Sequence, residues 1–233
     1  MTATVIAPNE RFHAVQARIA RAAAEAGRNI ATVRLLAVSK TMSAAAVREL
    51  ATCGQREFGE NYVQEALDKQ MQLRDLPLVW HFIGPIQSNK TRAIAERFDW
   101  VHSVDRLKIA ERLSVQRPQS LPPLDICLEV NISGEASKGG VSAEDLPVLA
   151  QAVSHLPRLR LRGLMAIPAP SSDSLEQRAA FAAVRRLYEV LRASGYSLDT
   201  LSMGMSGDLE AAIAEGATMV RVGTAIFGER VYA

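Results

Sequence analysis

Cysteine is nearly absent. Cys53 and Cys127 are the only two in 233 residues, far apart and in no metal-ligand spacing. That excludes a disulfide scaffold and a zinc-ribbon type of site, and suits thiols kept in a reducing compartment. Long apolar runs are missing too: none reaches the roughly 18 residues expected of a membrane-spanning helix. The opening stretch MTATVIAPNERF has neither the basic start nor the apolar core of a signal peptide, so a cytoplasmic location is expected. Neither sign of charge dominates. Lys and Arg number 27, Asp and Glu 25, for a net charge of +2, which leaves no electrostatic footprint for nucleic acid or an anionic membrane. A glycine-rich nucleotide fingerprint is also lacking. The first strand-like segment runs into SKTMSA, with no G-x-G-x-x-G, which argues against a doubly wound dinucleotide-binding sheet.

What is present is an ordinary globular balance, 48% hydrophobic and 22% charged, laid out with a regular rhythm. Asn9 is placed to cap a first helix, with Phe12, Val15, Ile19 and Ala26 on one face and Gly27 as its stop. Strand-like segments then follow at 33–39, 56–59, 78–83, 99–103, 124–130, 159–165, 198–202 and 218–222. Helical periodicity fills 43–52, 61–74, 88–97, 105–117, 142–154, 173–194 and 206–215. Eight strands alternating with helices predict an α/β fold, a (β/α)8 TIM barrel behind one extra N-terminal helix, with residues 1–233 as a single domain. The loops SGEASKGG (133–140) and IPAPSSDS (167–174) are Gly, Pro or Ser rich. Both follow a strand and belong on the C-terminal face of the barrel, where sites are built.

The first strand ends in a lysine. By alternation Lys40 shares a face with Leu36 and Val38, so in a barrel it points toward the mouth. Desolvation disfavours an ammonium, and a neutral amine there forms a Schiff base with an aldehyde. A lysine reaching out to solvent is the plainer alternative. Near the other end, residues 201–224 read LSMGMSGDLEAAIAEGATMVRVGT. Ser206 is a candidate N-cap for the helix DLEAAIAEG. Gly223 and Thr224 end the eighth strand, one permitting close approach and the other offering a hydroxyl. Barrels often bind phosphate on their seventh and eighth βα loops, and these are those loops. Arg221 faces the same side as Gly223 and needs an acceptor, whether an acid such as Glu129 or a ligand. An amine, a phosphate cradle and an arginine between them suggest pyridoxal 5′-phosphate.

The chain also resembles the pyridoxal-phosphate homeostasis protein family, single-domain relatives of the alanine racemase barrel. The matching stretches are LLAVSKTM (35–42), FGENYVQEA (58–66), WHFIGPIQSNK (80–90), VHSVDR (101–106), LEVNISGEASKGG (128–140), LRGLMAIP (161–168) and 201–230. The resemblance implies a fold-type III cofactor site. In it Lys40 carries the cofactor as a Schiff base, Ser206, Gly223 and Thr224 hold the phosphate, and Arg221 faces the ring nitrogen. Asn61 and Met203 fall where family residues border the cofactor. His81 reads as a satisfied strand residue or a supporting one. Lys90 and Lys138 read as solvated lysines, with a second aldehyde-binding amine as the sharper option. Glu60 and Asp105 look like strand-end polar residues without assignable chemistry.

The implied role is intracellular cofactor homeostasis rather than catalysis, with pyridoxal phosphate, and possible apo-enzyme recipients, as partners. The racemase relatives use a tyrosine from a second domain. Here Tyr62, Tyr188, Tyr196 and Tyr232 stand in no matching context, and a monomer is expected. An amino-acid racemase remains the main alternative, and a phosphosugar-binding barrel with aldolase-like lysine chemistry a third.

Overall fold

The computed structural model describes residues 8–135 and 139–228; Lys138 and Tyr232 lie outside them. Helix α1 (Pro8–Glu25) comes first. Eight strands follow: β1 (Arg34–Val38), β2 (Glu57–Glu60), β3 (Val79–Phe82), β4 (Trp100–Val104), β5 (Leu124–Glu129), β6 (Leu159–Met165), β7 (Thr200–Ser202) and β8 (Met219–Val222). The helices between them are α2 (Ala44–Thr52), α3 (Val63–Gln72), α4 (Thr91–Arg97), α5 (Leu107–Gln116), α6 (Leu146–Ser154), α7 (Ser174–Ala193) and α8 (Leu209–Ala214), and a single turn, α9 (Thr224–Phe227), follows β8. The strands pair in parallel in chain order and close into a barrel. Leu36 pairs with Arg221 and Ala37 with Val222, so β8 lies against β1. The chain forms the expected (β/α)8 barrel with its additional helix.

Several boundaries move for local reasons. β7 begins at Thr200 rather than 198, and the Tyr188 hydroxyl takes the Leu198 carbonyl at 2.9 Å. Helix α4 begins at Thr91 rather than 88, because Thr91 Oγ1 bonds back to the Ser88 carbonyl and closes a turn there. Ser206 is not the cap of α8. Asp208 holds that position, and its carboxylate accepts from the Met205 amide instead.

Helix α1 buries Phe12, Val15, Ile19, Ala22 and Ala23, each large side chain worth roughly 1.5–3 kcal/mol. Gly27 ends it in the left-handed region at φ 65°. The helix packs on α8 and α9. Arg28 donates to the carbonyls of Ile213 and Ala217, and Arg18 pairs with Glu210 while donating to the Ser206 carbonyl. The added helix therefore braces the loop that leads into α8.

Inside the barrel the N-terminal end is closed by charge and aromatic surface. The Arg34 and Arg162 guanidinium carbons lie 5.1 and 4.7 Å from the Trp100 ring centroid. Arg34 pairs with Glu57, and Arg162 with Asp125 and Asp199. Above this plug sit Leu36, Cys127, Met165 and two histidines, all buried.

Candidate cofactor site

At the opposite, C-terminal end the strands open on a cavity of about 240 Å³. Lys40, Asn61, Ser206, Arg221, Gly223 and Thr224 all line it. Residues from both ends of the chain meet there because the barrel closes β8 onto β1. Val38, Ile83, Ile167 and Met205 supply its apolar wall.

Met203 is not among the lining residues. The Ser202 side chain points inward to bond Arg221, so alternation sends Met203 into the core, where it is fully buried. Met205 takes the place at the wall.

Glycine matters at two points. A Cβ on Gly223 would stand 3.1 Å from the Val38 carbonyl oxygen, so glycine lets the end of β8 close tightly on β1. A Cβ on Gly84 would collide with the backbone of Asn61. The loop after β3 thus packs directly on the chain that carries Asn61.

Arg221 is buried and fixed by neutral acceptors. Its Nη1 donates to the Ser202 carbonyl and hydroxyl, and Nη2 donates to the Ala166 carbonyl at 3.0 Å. Of the two acceptors weighed for it, an acid such as Glu129 or a ligand, no bond to Glu129 stands among these contacts. Burial lowers its pKa to about 10, with Asp208 and Glu129 opposing the shift, so it remains a cation at neutral pH. Below it a chain of hydrogen bonds descends into the barrel: His102 Nδ1 lies 2.8 Å from Ser202 Oγ, and His102 Nε2 lies 2.9 Å from His81 Nδ1. The Ser202 hydroxyl accepts from Arg221 and also bonds His102 Nδ1, and one proton lies between His102 Nε2 and His81 Nδ1. The remaining nitrogen, His81 Nε2, is buried without a partner among the described residues. Burial pushes both imidazoles well below their ordinary pKa, aided by nearby positive charge. They are neutral, and His81 stacks on Trp100 with the ring planes 15° apart. Its place is in the support beneath Arg221.

Lys90 lies on a neighbouring cavity with Asn61, Tyr62 and Gln87. Glu129 ends β5 and lines another, which shares Ile167 with the main site. Burial raises its carboxyl to about 7, Asp105 pushes the same way, and Arg221 opposes both. Asp105 itself is paired with Arg106.

Sequence reading passed over Ser202, His102 and Lys69. Ser202 and His102 could be found by strand alternation. Lys69 could be found by noting that Val63, Ala66 and Lys69 fall on the buried face of α3. Glu60 is no idle strand-end residue either: its buried carboxylate accepts from Ser39 and Lys69.

Residues 12–231 match the family model described as alanine racemase, N-terminal domain. A pyridoxal phosphate homeostasis protein of Pseudomonas aeruginosa is 68% identical over 223 residues, covering 96% of each chain. One from Escherichia coli is 53% identical over 221 residues, covering 94% of each. Among solved structures, PipY of Synechococcus elongatus with PLP bound is 40% identical, with a TM-score of 0.83 over 95% of this chain and 100% of that one. Alanine racemase of Corynebacterium glutamicum, 20% identical with a TM-score of 0.68, shares the fold; the match covers 94% of this chain and 62% of that one. The relatives carry names that describe homeostasis rather than a reaction. With its barrel, its cavity and these likenesses together, the chain belongs to the pyridoxal phosphate homeostasis protein family, built on the alanine racemase N-terminal domain.

Proposed function

We propose that this protein binds pyridoxal 5′-phosphate through Lys40 and serves cofactor homeostasis as a reservoir, carrier or regulator. One observation carries the reading: Lys40, Ser206, Arg221, Gly223 and Thr224 line a single cavity. The donor set suits the group. An amine answers the aldehyde, two hydroxyls and a glycine backbone answer the phosphate, and a guanidinium answers the ring nitrogen. When bound, the cofactor supplies an electron sink.

The chain's own residues decide how that sink is used. Lys40 condenses with the aldehyde. Ser206 and Thr224 donate to phosphate oxygens, and Gly223 lets the backbone come close. Asn61 borders the ring. Arg221, a cation at neutral pH, would donate to the ring nitrogen and disfavour a proton there, so that the group would supply a weaker sink. A weaker sink still permits racemisation; what supports holding the cofactor is that no second acid/base tyrosine stands in a matching context. The free thiols Cys53 and Cys127 support a reducing, cytoplasmic setting. Among the described residues no helix is long and apolar enough to cross a membrane. We read residues 1–233 as one domain and the protein as a monomer that passes its cofactor to apo-enzymes.

The test is the spectrum of purified protein with and without borohydride. Loaded protein is yellow, borohydride bleaches it, and the added mass maps to Lys40. A protein that stays colourless after incubation with pyridoxal phosphate overturns the reading.

A racemase reading draws on one observation. Glu129, raised to about 7, stands near the mouth as a group able to exchange protons near neutrality. Deuterium wash-in at Cα across a panel of amino acids decides between them. Rapid exchange with inversion would establish the enzyme.

A further inference from the structure

The turn that carries Lys40 is fastened from behind by a buried cation. Lys69, on α3, is 4% exposed. Its ammonium donates to the Ser39 carbonyl at 2.6 Å, to Glu60 Oε1 at 2.7 Å and to Glu65 Oε1 at 2.5 Å. An ammonium has three protons, and all three are used. Each partner leads back to the Lys40 turn. Ser39 precedes Lys40, and its hydroxyl donates to the same Glu60 oxygen at 2.6 Å. Glu65 Oε1 accepts from the amide of Thr41, the residue after Lys40. Both flanks of Lys40 are thus tied to one charged atom.

The turn needs such a tie. Thr41 sits at φ 67°, in the left-handed region that is costly for a β-branched residue. Its amide is held by Glu65, and its hydroxyl donates to the Lys40 carbonyl. Without these bonds the backbone would relax toward an extended conformation and carry the lysine stem with it. A surface ion pair would not serve, because exposed pairs are worth little and hold geometry loosely. Here Glu60 is wholly buried, and its second oxygen has no partner among the described residues. Removing the cation alone would leave that carboxylate uncompensated.

We propose that Lys69 is the positioning residue for Lys40, holding the turn so that the amine meets the aldehyde carbon in a reactive geometry. This rests on the cofactor reading above. In the step concerned, Lys40 Nζ adds to the aldehyde carbon, a C=N bond replaces C=O, and the oxygen leaves as water with the amine's two protons. Lys69 touches no reacting atom. Its effect is on how often the amine is aligned.

The experiment compares two ligands. Pyridoxal 5′-phosphate has the aldehyde; pyridoxine 5′-phosphate carries an alcohol in its place and reads only the phosphate and ring contacts. The main variant is Lys69→Met with Glu60→Gln, which removes both buried charges together and keeps an acceptor for Ser39. It is expected to bind pyridoxal phosphate ~10–100-fold more weakly, and to be captured by borohydride on Lys40 more slowly. Its affinity for pyridoxine phosphate should match the wild type. Glu65→Ala, at a half-exposed position, removes the Thr41 tie and one of the three Lys69 acceptors while keeping both buried charges of the Lys69–Glu60 pair. It should show the same selective loss, and Glu65→Gln, which still accepts from the amide, should restore binding. Unchanged capture in both variants overturns the proposal, and so does an equal loss for both ligands, which marks a merely structural role. If wild-type protein itself captures nothing on Lys40, the cofactor reading fails first and the positioning role falls with it.

Discussion

Arg221 holds Ser202 twice: one guanidinium nitrogen donates to its carbonyl at 2.5 Å and to its hydroxyl at 2.9 Å. The hydroxyl also lies 2.8 Å from His102 Nδ1. Ser202→Ala removes the junction and leaves a buried imidazole nitrogen unsatisfied. The expected cost is about 1–3 kcal/mol of stability, read from urea unfolding, with weaker cofactor binding as Arg221 loses one of its anchors. Unfolding at the wild-type urea midpoint would show that the junction contributes nothing.

Gly223→Ala should weaken cofactor binding. The added methyl meets the Val38 carbonyl at 3.1 Å, at a residue that lines the cavity. The backbone there has φ −117° and ψ −75°, outside the left-handed region that favours glycine. Cofactor affinity should fall about tenfold or more, equivalent to ~1.4 kcal/mol, with a lower melting temperature as the β8–β1 seam gives way to the methyl. Equal affinity in titrations of the two proteins would remove Gly223 from the phosphate cradle.

Glu129 gives a pH signature. Burial raises its folded-state pKa from 4.5 to about 7. Between those values the folded protein keeps a proton that the unfolded chain has lost. Stability therefore falls as pH rises through this window and levels off above it. Glu129→Gln should be no more stable than wild type at pH ~4 and more stable at pH ~8, by on the order of 1–2 kcal/mol after allowing for solvent screening at a partly exposed site. Parallel denaturation curves at the two pH values check this. A difference independent of pH would mean that the carboxyl titrates normally.

The two thiols should react unequally. Cys127 is buried inside the barrel, and its pKa is pushed up to about 12, chiefly by that burial. Cys53 is partly exposed at the end of α2. A disulfide reagent should modify Cys53 alone in native protein and both in denaturant. Rapid modification of both under native conditions would indicate that the barrel opens.

The barrel and most of its mouth were legible in the sequence for a physical reason. Parallel strands buried on both faces form apolar runs, and the period changes sharply in the helices between them. The end of the apolar run placed Lys40 past the first strand, and alternation gave its face; β1 ends at Val38 and Lys40 lies in the turn that follows. Met203 went astray because the turn after β7 sends the next methionine, not this one, to the wall. Ser206 looked like a cap because serine is a good one, yet Asp208 holds the position. Lys69 was hidden by its chemistry: four residues after Glu65, it reads as an exposed helical ion pair. Only the bonds of Lys69 to the Ser39 carbonyl and to Glu60 turn that pair into a buried clamp.

The closed floor of the barrel sets a rule for traffic. Arg34, Trp100, Arg162 and their carboxylate partners seal the N-terminal end, so the cofactor must leave through the opening by which it arrived. Under the proposed role, a protein delivering cofactor and a protein collecting it would compete for the same doorway. Loading and unloading become successive events that exclude each other, and the carrier works as a one-berth dock rather than a conduit.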